Sequence, residues 1–256
     1  MKRVLLFLTL SACGTRLSST VVQFSERSVE IVEAGSGGPT VIFEAGLGND
    51  WTTWDAVASE VSQHARVFAY SRPGYGKSER TSDPRTAKQI VEDLRALLAA
   101  RQIAPPYILV GHSFGGAYME YFAKAHPEEV AGVVLVDPRH RDFGAKCDEA
   151  GISGCGIPAA AIPSMPKVDR DELEAYAHVS EEITAAGKFG AYPVRVLTAK
   201  IHGFTREAWS LWESLHGELA SEATDGKQLF FPGVGHGIQD ERPREVAAII
   251  LELVQM

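Results

Sequence analysis

Hydrophobic and polar positions along this chain follow two alternating rhythms. Short apolar runs bounded by glycine, proline or charged residues read as strands. They are Val21–Phe24 and Val29–Val32 around a polar turn, Thr40–Glu44 after a Gly/Ser/Pro stretch, then Val67–Tyr70, Tyr107–Val110, Val133–Val136, Val194–Leu197 and Gln228–Phe231. Between them the apolar residues recur with helical period. Thr86–Ala100 puts Ile90, Leu94, Leu97 and Leu98 on one face, and Pro243–Leu253 does the same with Val246, Ile249, Ile250 and Leu253. Further helices are predicted over about Thr53–Gln63, Phe114–Ala125 and Arg206–Leu219. Val133–Val136 is apolar without a break, as a strand covered on both faces has to be. A hairpin followed by alternating strands and helices predicts an α/β fold, a mostly parallel sheet flanked by helices.

One stretch departs from this rhythm. Residues 138–192 are rich in Pro, Gly and Ala, with one polar helix predicted over about Asp169–Ala186, and read as an inserted cap. That leaves 21–137 and 193–256 as the core and 1–20 as a leader and linker. In the leader, Met1-Lys2-Arg3 precedes the short apolar segment Val4–Leu10 and the small pair Ser11-Ala12, the pattern of an export signal. Leu10-Ser11-Ala12-Cys13-Gly14 resembles the lipobox of bacterial lipoproteins. This implies a lipid on Cys13, attachment to a membrane through it, and a place in the bacterial cell envelope. A hydrophobic first strand or an ordinary cleaved signal are the alternatives.

Composition narrows the partners. The 256 residues are 45% hydrophobic and 23% charged, enough for one full core or two small ones and unlike a disordered chain. With 25 Lys and Arg against 33 Asp and Glu, the net charge of −8 argues against nucleic acid as a partner. Beyond Cys13 there are two cysteines, Cys147 and Cys155, which an oxidising compartment would allow to close a small loop; two free thiols are the alternative. Neither Cys-x-x-Cys nor His-Glu-x-x-His occurs, so no metal is expected.

The chemistry gathers at strand ends. Gly111-His112-Ser113-Phe114-Gly115 is a Gly-x-Ser-x-Gly set between a predicted strand and a predicted helix. A serine at so sharp a turn needs nearly side-chain-free neighbours two residues away on each side, and Gly111 and Gly115 meet that need. A serine hydroxyl needs a base, commonly a histidine oriented by a carboxylate. Of eight histidines, His236 is the best placed, in Pro232-Gly233-Val234-Gly235-His236-Gly237 just beyond the last predicted strand.

These features resemble the α/β-hydrolase fold superfamily over nearly all of the chain from Val21 onward. Val41–Gly48 followed by Trp51 and Trp54 is similar to the family's oxyanion loop, and Arg72-Pro73-Gly74-Tyr75-Gly76-Lys77-Ser78 to its Arg-Pro-Gly-x-Gly-x-Ser turn, which is expected to shape the pocket floor. The resemblance implies that the backbone N–H groups of Leu47 and Phe114 form an oxyanion hole. The acid is less plainly marked, because no carboxylate follows the strand after the cap until Glu207. Asp137, ending the strand after the elbow unit, is the first candidate, as in some relatives, with Glu207 and Asp225 as alternatives.

The expectation is a serine hydrolase that cleaves a carboxylic ester through an acyl-enzyme, with Ser113, His236 and Asp137 as its triad. Its partner is a small acyl substrate, and it needs no cofactor. Aminopeptidase, thioesterase and lactonase chemistry, or a non-catalytic binding protein on the same fold, are the alternatives. The segment Gly156–Pro166 is a candidate pocket wall or an ordinary packed loop, and oligomeric state is not set by the sequence.

Overall fold

The strands are β1 (Thr20–Phe24), β2 (Arg27–Ala34), β3 (Thr40–Glu44), β4 (Val67–Tyr70), β5 (Tyr107–His112), β6 (Val130–Val136), β7 (Pro193–Ala199) and β8 (Asp225–Phe231). They form a single sheet in the order β1-β2-β4-β3-β5-β6-β7-β8. β1 with β2 and β2 with β4 are antiparallel, and every later pairing is parallel, as the alternating pattern predicts. The structure is a computed structural model that describes residues 16–200 and 203–256. Cys13, with the lipidation expected there, and His202 lie outside the described residues.

The helices are α1 (Asp55–Val61), α2 (Ala87–Ala100), α3 (Phe114–Ala125), α4 (Phe143–Ala150), α5 (Lys167–Ala175), α6 (Val179–Ala186), α7 (Arg206–Ser221), α8 (Ile238–Glu241) and α9 (Pro243–Val254). Successive side chains of a strand point to opposite faces. Ile42 and Leu109 therefore pack with Leu94, Leu98, Met119 and Phe122 of α2 and α3, while Val41, Phe43 and Val110 pack with Val57, Val61, Val246 and Ile250 of α1 and α9. Each such side chain, removed fully from water, contributes roughly 2 kcal/mol. Thr86 and Thr205 start α2 and α7 by accepting from the amides of Gln89 and Ala208.

The structure departs from the sequence reading in several places, α8 among them. The helix expected over Thr53–Gln63 is a 3₁₀ turn at Trp51–Trp54 that continues into α1, started by the Asp50 side chain accepting from Thr52 N–H. The helix expected over Asp169–Ala186 is two, α5 and α6, separated by a 3₁₀ turn at Tyr176–His178. The break lets Tyr176 turn inward, where its ring centroid lies 4.0 Å from that of Phe114 and its hydroxyl donates to the Arg139 carbonyl at 2.6 Å. α4 was not foreseen, because its apolar content is low. It buries Phe143 and Cys147 against Ala208, Trp212 and Leu215 of α7, and a Cys147–Cys155 disulfide ties its far end.

Candidate active site

Ser113 lies between β5 and α3 with φ 53° and ψ −118°, backbone angles that a residue with a side chain adopts at a cost of about 1–3 kcal/mol. Its neighbours hold it there. Its N–H donates to the Val136 carbonyl at 3.2 Å, and its carbonyl accepts from the N–H groups of Gly116 and Arg139 at 3.0 and 2.9 Å. The small residues are needed for the reason the motif implies. A Cβ at Gly111 would sit 2.4 Å from the Gly115 carbonyl oxygen, and one at Gly115 would sit 2.5 Å from the carbonyl oxygens of Glu44 and Ala45. Phe114 opens α3, so its N–H has no acceptor within the helix.

Asp137 ends β6 with φ 42° and is fully buried. Oδ1 accepts from the Ala199 N–H at 3.0 Å and from the Trp212 indole at 3.2 Å, which leaves Oδ2 to meet His236 Nδ1 at 2.6 Å. A carboxylate only accepts, so this contact keeps a proton on Nδ1 and makes Nε2 the basic atom of the neutral ring. The other two candidate acids lie elsewhere. Glu207 is exposed on the first turn of α7, and Asp225, at the start of β8, pairs with Arg195 at 3.1 Å.

His112 supports this loop in a way the sequence reading missed. Its Nε2 donates to the His236 carbonyl at 3.0 Å, and the two ring centroids are 4.6 Å apart. Burial, reinforced by His236 nearby, pushes the His112 imidazole down to about 3. Burial, reinforced by the Arg141 charge, does the same to His140, whose Nδ1 accepts from the Asp142 N–H. Both rings therefore stay neutral in the folded protein at pH values where the unfolded chain protonates them. Below the ordinary imidazole range the unfolded state gains protons that the native state refuses, so stability is lost as pH falls toward 3. From pH 7 to pH 5 the two rings should cost about 4 kcal/mol together. Urea melts at both pH values check this. His140→Asn, which keeps the acceptor for Asp142 but cannot titrate, should roughly halve the pH effect; an undiminished effect would contradict it.

The other side of the site is built on Gly46 and Leu47. A Cβ at Gly46 would lie 3.2 Å from Ser113 Cβ, so this backbone runs directly beside the serine. The Arg72 guanidinium donates to the Ala45 carbonyl at 2.6 Å and the Gly46 carbonyl at 2.9 Å. The Gly46 carbonyl and the Leu47 N–H belong to one planar trans peptide and point in opposite directions. Fixing the carbonyl therefore fixes the N–H. Arg72 is itself held by Glu44 at 2.6 Å and by Glu172 of α5 at 2.7 Å, with all three side chains buried. The turn expected to shape the pocket floor thus holds the loop beside Ser113, and ties it to the segment between β6 and β7.

Leu47, Ser113, Phe114 and His236 all line one cavity of 520 Å³, with Ile157, Pro158, Phe204 and Trp212 among its apolar walls. Gly156–Pro158, from the segment left open between wall and packed loop, are part of the wall. Wider hollows of 640 and 730 Å³ are lined by none of these residues. Elsewhere, His126, Glu128 and Glu129 bring metal-ligand atoms within 4.8 Å of one another. There Glu129 is bonded to Arg95 and His126 to Glu92, partners that a cation would have to displace.

The family model described as the alpha/beta hydrolase fold matches residues 39–150, from β3 through α4. Among solved structures, the epoxide hydrolase VrEH1 of Vigna radiata is 17% identical with a TM-score of 0.71, covering 94% of this chain and 98% of that one. The chain has the α/β-hydrolase fold. A provisionally named lipase, lip1, from Acinetobacter baumannii AYE shares it at 20% identity and a TM-score of 0.67, covering 93% of this chain and 92% of that one. In sequence, the protein YqjL of Bacillus subtilis (strain 168), whose name assigns no activity, is 29% identical over 224 residues, 86% of this chain and 85% of its own. Within this α/β-hydrolase fold, Ser113 stands at the end of β5, Asp137 at the end of β6 and His236 after β8, all at the carboxyl edge of the sheet where such folds gather ligands.

Proposed function

We propose that the protein is a serine hydrolase that cleaves carboxylic esters through an acyl-enzyme. The observation that carries this reading is the 2.6 Å contact of His236 with the fully buried Asp137, made on the loop that lines the same cavity as Ser113. In the proposed reaction Ser113 Oγ bonds to the ester carbonyl carbon while its proton passes to His236 Nε2. That proton then goes to the alcohol oxygen as the carbon–oxygen bond breaks. Water repeats the sequence on the acyl-serine, releasing the acid and returning the proton to Ser113. The N–H groups of Leu47 and Phe114 would receive the carbonyl oxygen as it becomes negative, each worth about 3 kcal/mol of barrier.

A serine nucleophile argues against epoxide opening, despite the shared fold. Attack on an epoxide carbon would leave an ether on Ser113, which water does not cleave, whereas an acyl-serine is an ester that the same His236 can hydrolyse. The segment 138–192 serves in this reading as a cap, since it supplies the wall at Gly156–Pro158. Stopped-flow mixing with 4-nitrophenyl butyrate tests the proposal: a burst of about one nitrophenol per protein, then slower steady release, is expected. No release above buffer would favour a binding protein on the same fold.

We further propose that the protein is exported to the cell envelope with a lipid on Cys13. The charged and apolar leader supports this, and so does the Cys147–Cys155 disulfide, a bond that oxidising compartments preserve. Recovery of the protein from the cytosolic fraction of a cell that produces it would overturn this.

A further inference from the structure

Arg139 brings a cation into the proposed site, and no carboxylate among the described residues pairs with it. Its main chain is fixed beside the elbow, the N–H donating to the Ser113 carbonyl at 2.9 Å and the carbonyl accepting from the Tyr176 hydroxyl at 2.6 Å. Its side chain lines the cavity that Ser113 and His236 share. Three rings surround the guanidinium, those of Phe114, Phe143 and Tyr176, with centroids 5.7, 5.6 and 5.7 Å from its carbon.

Protein hydrogen bonds engage little of this group. Of the five N–H donors a guanidinium carries, one on Nη1 reaches the Cys155 carbonyl at a long 3.4 Å. Nε is shielded from solvent with no partner among the described residues. Arg27, Arg72, Arg85, Arg95, Arg141 and Arg195, also largely covered, each pair with a carboxylate; among the described residues half-buried Arg139 and Arg170 have none, and Arg170 instead donates to the Pro163 and Met165 carbonyls. The aromatic faces offset only part of the cost of a cation in an apolar wall. A neutral ester entering the cavity would strip water from the guanidinium and return at most an uncharged carbonyl acceptor. A carboxylate would offer two coplanar oxygens, the acceptor geometry that guanidinium fits best.

We infer that the substrate carries a carboxylate, received by Arg139, so that the site favours anionic esters such as the half-esters of dicarboxylic acids. This rests on the ester-hydrolase reading and names its substrate class. The chain's net charge of −8 repels anions at long range, so the preference has to arise from this local cation.

The test compares kcat/KM for matched pairs that differ by one charge. In the first, 4-nitrophenyl hydrogen glutarate against 4-nitrophenyl valerate, the carboxylate is on the acyl side; in the second, 4-carboxyphenyl valerate against phenyl valerate, it is on the alcohol side. In the wild type one pair should favour the anion by about 10- to 100-fold. Arg139→Gln should bring that ratio to about one or below, and Arg139→Lys should keep part of it. The ratio is the readout, so a general loss of rate in a variant does not obscure the result. Anionic esters no better than neutral ones in both pairs with the wild type, or a preference that Arg139→Gln leaves intact, would overturn the inference while the hydrolase reading stands. Failure to hydrolyse any of the four esters would overturn the hydrolase reading itself.

Discussion

Ser113→Ala is expected to lower kcat on 4-nitrophenyl butyrate by about 10⁵- to 10⁶-fold, the loss typical of removing a nucleophile whose partners act with it as a unit. KM should change little, because the cavity walls are untouched. The variant should fold as the wild type does, since alanine tolerates the φ of 53° about as poorly as serine. Glycine does not share that penalty. Ser113→Gly should be as inactive as the alanine variant yet more stable than it by about 1–2 kcal/mol in urea melts. Together the two variants separate chemistry from strain. Inactivity in both with higher stability in the glycine variant is the expected result, and a rate within tenfold of wild type in either would remove the serine from the reaction.

Asp137→Asn should be nearly as damaging, with kcat reduced by about 10⁴-fold. Oδ1 of Asp137 is flanked by two donors, the Ala199 N–H and the Trp212 indole N–H. In the asparagine variant the amide oxygen has to face them, which turns the NH₂ group toward His236 Nδ1. That nitrogen then becomes an acceptor, and the ring proton moves to Nε2. An Nε2 that already bears a proton cannot take one from Ser113. The variant keeps the shape of the wild type, so its melting behaviour should remain close to normal while its rate collapses. Glu207→Gln, altering an exposed carboxylate outside the cavity, should leave the rate within about twofold. If Glu207→Gln lost the activity and Asp137→Asn kept it, the acid would have been misassigned.

The elbow was legible because its mechanics restrict the residues: the carbonyls of Glu44, Ala45 and Gly115 leave no room for a Cβ at Gly111 or Gly115. The mostly parallel sheet after a hairpin start followed from the alternation of apolar periods, and Asp137 became the first candidate acid from its place at a strand end directly after the elbow unit. What was hidden depends on contacts distant in sequence. Arg72 lies in a turn rich in glycine, proline and charge, and nothing local tells that Glu172, 100 residues later, buries it. Arg139 looks like one more charged residue after Asp137-Pro138, and only the rings folded around it make it unusual. The break between α5 and α6 has no glycine or proline to announce it, because Tyr176 turns inward for partners on α3 and at Arg139. α4 owes its helix to burial of Phe143 and Cys147 rather than to its own periodicity.

The claim on which the account turns is that Ser113 is a nucleophile activated by its surroundings. Incubation with a fluorophosphonate, followed by intact-mass measurement and peptide mapping, tests it most directly, because an ordinary serine hydroxyl does not react. The account predicts one adduct per protein, located on Ser113 and formed far more slowly in Asp137→Asn. Folded protein that stays unmodified, or an adduct on any other residue, would contradict it.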